Sequence, residues 1–391
     1  MRQFSILLLA VVVLTFSCKT QKLATTTTSK IKADTIPAIV LPNDTLIVET
    51  ETPQDSVEIV AHRVLKDTIL ITAVGDMMLG TNYPEESYLP PNEGKYQLRE
   101  VDSLLRGGDI LFGNLEGTIL NEGGEHKTCK NPKACYIFRS PEYMAARVKE
   151  AGFNLVSVAN NHAGDFGLTG RKNTSRVLDS LQINFAGNSI KPFTIFKVDG
   201  MKYGFAAFAP NVGTPSINNL DSARKVVQHL DSLVDIVIVS FHGGAEGAKY
   251  THVPRKNEYF YGENRGNVYK FAHTMIDAGA DVLIGHGPHV PRAIEVYKNR
   301  FIVYSLGNFC TYGRFNLRGD NGLAPIVIIK INNKGEFLNG KIEPAIQKGA
   351  GTPVPDPSGK VIQLIKKLSE EDFPESQVSV DESGNIFYLH D

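Results

Sequence analysis

Short apolar runs of strand type alternate along most of the chain with longer segments whose apolar residues recur at helical spacing. The predicted strands are TILITAV after Asp67, DILF from Asp109, LVSV from Leu155, DIVIVSF from Asp235, DVLI from Asp281 and FIVYSL from Phe301. Helices are predicted at about 98–105, from 140 onward, and at about 169–181, 222–233 and 267–278. Strands that alternate with helices of this length favour parallel pairing in an α/β sheet.

Two parts of the chain depart from this alternation. Strand-like runs follow one another at 183–186, 193–198 and 203–208 without a helix between them. The C-terminal part, 324–391, starts with PIVIIKI and a second run at 335–342, and a helix follows near 360–368. We predict that these two runs are antiparallel strands.

Several predicted strands end in a polar, glycine-rich segment, and the stretch NLVSVANNHAGDFG at 154–167 shows this pattern most clearly. Ligands bind at the carboxyl edge of an open α/β sheet, and glycine lets the backbone approach them. The side chains expected at this edge are Asp76, Asn114, Glu116, Asn161, His162, His242, Glu246, His286 and His289. Each has a structural alternative, because Asp76 can cap a helix and His242 can be a buried structural histidine. Their recurrence at one strand end after another favours a functional site.

The residue types in this set indicate metal chemistry. Carboxylate, amide and imidazole ligands without thiolates suit Zn, Mn or Fe. In a metal-dependent hydrolase, one or two divalent ions polarise the scissile group and convert bound water to hydroxide. Other chemistries lack their motifs, since the chain has no GxSxG elbow, no Walker phosphate loop and no dinucleotide fingerprint. We therefore predict a divalent metal cofactor, one or two ions of Zn, Mn or Fe.

The N-terminus reads MRQFSILLLAVVVLTFSC. It has an apolar core at 6–14, and the segment after this core ends in Ser17-Cys18. This core is too short to span a membrane and is typical of a secretory signal. The ending is similar to a bacterial lipoprotein signal, so lipid on Cys18 would anchor the protein, with ordinary cleavage nearby as the alternative. Residues 19–66 have little periodicity and are predicted to be a disordered tether. We expect a lipoprotein of the cell envelope, anchored to a bacterial membrane.

The other cysteines and the net charge give predictions about a disulfide, a free thiol and nucleic-acid binding. Cys129 and Cys135 lie in a polar loop and are expected to form a disulfide in an oxidising envelope, with a metal knuckle involving His126 as the alternative. Cys310 ends an apolar run and is predicted to be a buried free thiol. The 41 basic and 42 acidic residues give a net charge of −1, which provides no electrostatic basis for binding nucleic acid.

Motifs at the strand ends, taken in order, resemble a known family. They are GDMMLG (75–80), GNLEGTI (113–119), SVANNHAGDFG (157–167), SFHGGAE (240–246), DAGADVLIGHGPHVPR (277–292) and YSLGNF (304–309). These segments are similar to the bacterial poly-gamma-glutamate capsule synthesis family, CapA, which resembles the calcineurin-like metallophosphoesterase superfamily. The resemblance implies a four-layer α/β/β/α sandwich with its site at the strand ends and a short C-terminal β/α extension. The expected division is a lipoprotein-type signal peptide at 1–18, the tether at 19–66, a CapA-type metallophosphoesterase-like domain at 67–310, and an extension at 311–391 that completes the sheet.

The superfamily pattern implies a role for each matching residue. Asp76 resembles the first-metal aspartate, Asn161 the second-metal asparagine, and His162 the neighbouring histidine that protonates or stabilises the leaving oxygen. The remaining metal histidines are matched by His242, His286 and His289.

This sequence departs from the superfamily pattern at the first metal. Met78 stands where the superfamily has a histidine, and Asn114 stands where it has a bridging aspartate. An amide is a poorer bridge than a carboxylate, so Glu116 is expected to serve instead. Glu246 has no counterpart in phosphoesterases and looks specific to the CapA family.

The sequence therefore predicts an envelope-anchored capsule synthesis protein that acts as a metal-dependent hydrolase or transferase on an anionic envelope polymer such as poly-gamma-glutamate. The alternative is a non-catalytic anchoring or export subunit that keeps the fold. Met78 and Asn114 favour this alternative, whereas the intact histidines oppose it. The expected partners are the membrane through lipidated Cys18, the polymer, and other envelope or capsule proteins.

Overall fold

The structure is a computed structural model that describes residues 66–128 and 135–388. In this part of the chain the strands, in order, are β1 (Thr68–Met78), β2 (Ile110–Leu115), β3 (Thr118–Ile119), β4 (Arg139–Ser140), β5 (Leu155–Ser157), β6 (Asn184–Ala186), β7 (Phe193–Val198), β8 (Met201–Phe208), β9 (Ile236–His242), β10 (Glu258–Phe260), β11 (Glu263–Gly266), β12 (Val282–His286), β13 (Ile294–Tyr297), β14 (Arg300–Val303), β15 (Asn308–Thr311), β16 (Ile326–Asn332), β17 (Phe337–Glu343), β18 (Ala345–Lys348), β19 (Thr352–Pro355), β20 (Val378–Val380) and β21 (Asn385–Tyr388). The helices are α1 (Asp102–Leu105), α2 (Glu142–Glu150), α3 (Gly167–Ser180), α4 (Leu220–Asp231), α5 (Val268–Asp277) and α6 (Lys360–Asp372). The predicted signal peptide, Cys18 and tether residues 19–65 lie outside the described residues.

The larger sheet has the order β20–β21–β17–β16–β1–β2–β5–β6, and β15 also pairs with β1. Strands β1, β2, β5 and β6 are parallel, as predicted for the alternating part of the chain. Strands β16 and β17 pair antiparallel, which confirms the prediction for the C-terminal part, and β16 also pairs antiparallel with β1. The C-terminal strands therefore share one sheet with β1, and β15 spans residue 310, where the sequence predicted a domain boundary.

The second sheet has the order β13–β14–β12–β9–β8–β7. Its centre, from β8 to β14, is parallel, and the edge strands β7 and β13 pair antiparallel. The hairpin β10–β11 follows β9 and forms a small sheet of its own. The hydrophobic pattern did not predict this hairpin, because β11 reads ENRG and has no apolar alternation.

Three apolar clusters separate four layers. The two sheets face each other across a cluster that includes Ile71 and Phe112 from the first and Ile284 from the second. A second cluster joins the other face of the first sheet to α2 and α3, and a third joins the second sheet to α4 and α5. The fold is therefore the α/β/β/α sandwich that the sequence predicted.

The position of strand β9 between two apolar clusters explains why its sequence is continuously apolar. Ile236 and Ile238 belong to the cluster between the sheets, whereas Val237 and Val239 belong to the cluster beneath the helices. A strand covered on both faces needs apolar residues at every position. Because side chains alternate along a strand, His242 points to the same side as Ile238, between the two sheets.

The predicted helices at 169–181, 222–233 and 267–278 correspond to α3, α4 and α5. The segment 98–105 is only partly α-helical, since a 3-10 turn at Arg99–Val101 precedes α1. Helix α6 continues beyond the predicted end at 368. Within residues 66–128 and 135–388, no helix combines the length and apolar character needed to cross a membrane.

The cysteines agree with the expectations as far as the structure describes them. Cys310 is a buried free thiol, as predicted, and burial raises its pKa to about 12. Cys135 is in a disulfide. Cys129 lies outside the described residues, so the pairing of these two cysteines stays a prediction.

Candidate metal centre

Asp76 lies at the irregular end of β1, where the strand changes partners. The first part of β1 pairs with β16 and its end pairs with β15, which sets Asp76 opposite both Asn114 and Asn308. Gly75 makes this change possible, because a Cβ at that position would lie 2.1 Å from the carbonyl oxygen of Gly307. The local backbone thus buries Asp76 completely at the carboxyl edge of the first sheet.

Asp76 gathers side chains from both sheets. The Nδ2 of Asn114 donates to its Oδ1 at 2.8 Å, and the Nδ1 of His289 donates to its Oδ2 at 2.9 Å. The Nδ1 of His286 lies 3.4 Å from Oδ1. Burial alone would raise the pKa of Asp76, but the contacts with His286 and His289 lower it below its usual range. Asp76 is therefore a carboxylate at neutral pH.

His289 and Glu116 complete the group around Asp76. His289 has a φ of 57°, a left-handed conformation that non-glycine residues adopt mainly where the surrounding structure imposes it. Its Nε2 lies 3.7 Å from Oε1 of Glu116, and its Nδ1 lies 3.1 Å from Oδ1 of Asn308. Asp76, Glu116 and His289 each offer a ligand atom, and these atoms lie within 4.8 Å of one another. Burial alone would lower the pKa of His289, but the carboxylates of Glu116 and Asp76 raise it to about 10.

Buried polar atoms around this group have no hydrogen-bond partner among the described residues. They include both oxygens of Glu116 and both ring nitrogens of His242 and His286. Burial, with the charge of Asp76, raises the pKa of Glu116 well above its usual range, and burial lowers the pKa of His242 well below its own. Buried polar groups are normally paired, and a divalent cation would pair with these carboxylates and imidazoles. The residues therefore fit the predicted metal, with Asp76, Glu116 and His289 as its first candidates and His242 and His286 beside them.

The histidines meet because their strands are neighbours. His242 ends β9 and His286 ends β12, and the two residues are directly paired in the parallel ladder. The rings of His242 and His289 have their centres 6.2 Å apart. The sequence predicted that these strand ends would converge, and the structure brings them together.

His162 forms a dyad that the sequence did not predict in full. Its Nδ1 lies 2.8 Å from Oδ2 of Asp165, which is fully buried. Since an ionised carboxylate only accepts, Nδ1 carries the proton and Nε2 is the ring atom left for proton transfer. The amide of Phe138 donates to the same Asp165 oxygen at 2.7 Å, and the Nζ of Lys127 lies 2.6 Å from the other oxygen. Burial lowers the pKa of His162, and Asp165 opposes that shift.

The two adjacent asparagines have different roles in the structure. Asn160 donates through Nδ2 to Oδ1 of Asn114 at 3.3 Å and accepts at Oδ1 from the backbone amide of His162 at 3.1 Å. Asn161, the predicted second-metal ligand, has a buried Oδ1 without a hydrogen-bond partner in the described part of the chain. The hydrogen bonds of Asn160 therefore fix the loop after β5, whereas Oδ1 of Asn161 remains available to a ligand.

Two predicted ligands are engaged in other contacts. Asn114 uses its amide nitrogen on Asp76 and its amide oxygen on Asn160. Glu246 accepts from the Nη2 of Arg265 at 2.6 Å and is not among the three residues that converge. Its charge nevertheless contributes to the raised pKa of Glu116, so it lies within electrostatic reach of the centre.

Sequence reasoning missed Asn160, Asp165, Arg265 and Asn308. A signal existed for Asp165, which lies in the NNHAGDFG segment three residues after His162, and for Asn308, which lies in the YSLGNF motif. Arg265 had no signal, because its polar hairpin resembles an ordinary surface loop.

This arrangement can support hydrolysis or group transfer. When bound, a divalent ion would polarise the scissile group and activate water. The carboxyl groups of Asp76 and Glu116 from the first sheet would hold the ion, and the imidazoles at the strand ends of the second sheet would fix its position. His162, oriented by Asp165, can deliver or accept a proton at Nε2.

The fold and the centre define an α/β sandwich protein whose candidate metal ligands lie at the carboxyl ends of strands from two facing sheets. The family of bacterial capsule synthesis proteins PGA_cap matches residues 70–312. The chain belongs to this family, which confirms the resemblance drawn from the strand-end motifs.

Two relatives with similar sequences support the same assignment. The chain is 29% identical over 350 residues to the capsule biosynthesis protein CapA of Bacillus anthracis, covering 81% of this chain and 77% of the relative. It is 28% identical over 321 residues to the PGA biosynthesis protein CapA of Bacillus subtilis (strain 168), covering 78% and 79%. Among solved structures it is similar to a 5'-nucleotidase precursor from Thermus thermophilus, with a TM-score of 0.38 and 11% identity over 80% of this chain and 61% of the other.

Proposed function

We propose that this protein is a metal-dependent hydrolase or transferase that acts on an anionic polymer of the cell envelope during capsule synthesis. The observation that carries the proposal is the pairing of two features. Glu116, His242 and His286 have buried ligand atoms beside Asp76 that find no partner among residues 66–128 and 135–388, and a histidine supported by an aspartate lies in the loop after β5. A purely structural site would satisfy its buried polar atoms internally.

The ligand types favour Zn, Mn or Fe as the ion. A single ion is favoured over two, because both polar atoms of Asn114 are already hydrogen-bonded. A second ion would have to rely on Asn161 and on histidines that also serve the first.

The name of one relative supports the proposed polymer, and the N-terminal sequence supports the proposed location. The relative in Bacillus subtilis is named for PGA biosynthesis, which supports poly-gamma-glutamate as the substrate class. A lipid on Cys18 would hold the site close to a membrane, where envelope or capsule proteins are available as partners.

Metal analysis of histidine variants tests the proposal. His286→Ala and His289→Ala should each lose bound metal after loading with Mn²⁺ or Zn²⁺. The matched control is His229→Ala, an exposed histidine on α4, which should keep the wild-type metal content. Turnover of a panel of phosphodiester and γ-glutamyl substrates should fall together with metal content.

A non-catalytic anchoring or export role is the second candidate. Met78, which replaces a metal histidine of the superfamily, is buried, and Asn114 is occupied by hydrogen bonds. Full metal retention in both histidine variants, with no turnover of any substrate by the wild type, would place this second function first.

A further inference from the structure

Arg265 is a buried arginine with incomplete partners. It is 5% exposed, and its Nη2 donates to Oε1 of Glu246 at 2.6 Å. Its Nε lies 3.3 Å from Oε2 of Glu263, but neither Nε nor Nη1 makes a hydrogen bond within the described residues. Leaving charged donors buried without acceptors is unfavourable, because these groups lose their hydrogen bonds to water and gain none in the protein.

A neighbouring arginine shows how this protein satisfies a buried guanidinium that has a structural role. Arg292 is fully buried, and its Nε donates to the carbonyl oxygen of Tyr250 at 2.8 Å. Its Nη1 and Nη2 form a bidentate pair with Glu258 at 3.0 and 2.8 Å, and Nη2 also reaches the carbonyl of Ala245. Every nitrogen of Arg292 has an acceptor, whereas Nε and Nη1 of Arg265, the other arginine of similar burial in the described chain, have none.

Arg265 lies against the loop that follows His242. Its carbonyl oxygen accepts from the amide of Gly244 at 2.9 Å, and the amide of Gly243 donates to the carbonyl of His286 at 2.8 Å. The opposite strand of its hairpin, β10, begins at Glu258, the partner of fully buried Arg292. Arg265 therefore lies on a hairpin that hydrogen bonds hold beside the candidate metal centre.

We propose that Arg265 binds an oxyanion of the substrate, a carboxylate or a phosphate, next to the metal centre. This inference rests on the proposed function and specifies how that site would select an anionic polymer. Glu246 holds the guanidinium in place through Nη2, while Nη1 provides the donors for the incoming oxyanion. A guanidinium suits this task because its donors match the geometry of carboxylate and phosphate oxygens.

Binding measurements with defined probes test the inference separately from catalysis. The full chain, loaded with Mn²⁺, is titrated by calorimetry with a γ-linked glutamate oligomer, with the same oligomer amidated at its α-carboxylates, and with inorganic phosphate. Wild type should bind a charged probe and not the amidated oligomer. The two charged probes distinguish a carboxylate from a phosphate as the group that is recognised.

The variants give opposite expectations for the two partners of the ion pair. Arg265→Gln should weaken binding of the charged probe by about 10- to 100-fold, the equivalent of one or two charge-assisted hydrogen bonds, and Arg265→Lys should weaken it less. Glu246→Gln should bind at least as tightly as wild type, because the glutamine oxygen can still accept from Nη2 and hold the guanidinium, while the competing negative charge is removed. Arg255→Gln, which alters an arginine whose side chain is 47% exposed, is the matched control and should match wild type.

Melting curves recorded with each variant separate lost binding from lost folding, and Arg265→Lys keeps the test valid if the glutamine variant unfolds. Wild-type affinity in a folded Arg265→Gln variant would overturn the inference. So would a wild type that binds none of the charged probes, or an equal loss in Glu246→Gln. Binding that depends on Arg265 without any turnover would keep the inference and reject the hydrolase.

Discussion

A substitution of Glu116 tests directly whether the candidate metal centre is arranged to bind a cation. Its side chain is 1% exposed, and neither oxygen has a hydrogen-bond partner in the described structure. Burial and the nearby charge of Asp76 raise its pKa well above the usual 4.5. In metal-free protein this carboxyl should therefore take up a proton on folding, which makes folding less favourable at neutral pH.

The size of that effect has an upper limit. Between the unfolded pKa of 4.5 and pH 7 lie 2.5 units, so protonation on folding costs at most about 3 kcal/mol at pH 7. Because the folded pKa is raised, the stabilising contribution is complete below pH 4.5 and is lost as pH rises towards the folded pKa. Glu116→Gln should remove this pH dependence and stabilise the metal-free protein at pH 7 by up to about 3 kcal/mol, or roughly 6 °C in melting temperature.

With metal present, the order should reverse. Wild type should gain about 4.1 kcal/mol when the free metal is a thousandfold above its dissociation constant, whereas the Glu116→Gln variant should gain far less. Thermal melts of wild type and of the variant, each recorded with chelator and with Mn²⁺, measure the four stabilities that are compared. Glu150→Gln is the matched control, since the side chain of Glu150 is 59% exposed and pairs with Arg147 on the surface of α2.

Two results would contradict this reasoning. One is a metal-free Glu116→Gln variant that is clearly less stable than metal-free wild type. The other is a variant that gains as much stability from metal as wild type does, which would remove Glu116 from the ligand set.

Other expectations follow from single features. His162→Ala should keep metal but lose about 10²- to 10⁴-fold in turnover, because its proposed role is proton transfer; a parallel loss of metal would assign it to the ligands instead. Cys18→Ala should release the protein from the membrane fraction, and a variant that stays bound without acyl label would show that lipid is not the anchor. Mass spectrometry of unreduced protein should find Cys129 linked to Cys135, and two free thiols would exclude the disulfide. Arg292→Met should destabilise the fold by about 3–5 kcal/mol in denaturant melts, because its buried carboxylate partner is left uncompensated; a loss below about 1 kcal/mol would contradict this.

The layers of this fold could be predicted because a strand that is buried on both faces has a continuous run of apolar residues. Ile236, Val237, Ile238 and Val239 form a continuous apolar run, and each of them packs in one of two different clusters. The short strand β11 could not be predicted, since it is held by its partner β10 and has no apolar pattern of its own.

The sequence by itself determined which strand ends carry polar groups and that their chemistry suits a divalent metal, because residue type and strand polarity are local properties. Only the tertiary structure decided how those groups are used. Asp76 and His289 are 213 residues apart and meet because the two sheets face each other. The same packing pairs Glu246 with Arg265 and engages both polar atoms of Asn114. Local sequence cannot specify which buried atom finds a partner and which is left for a ligand, since that outcome depends on which distant backbone and side chains pack against it.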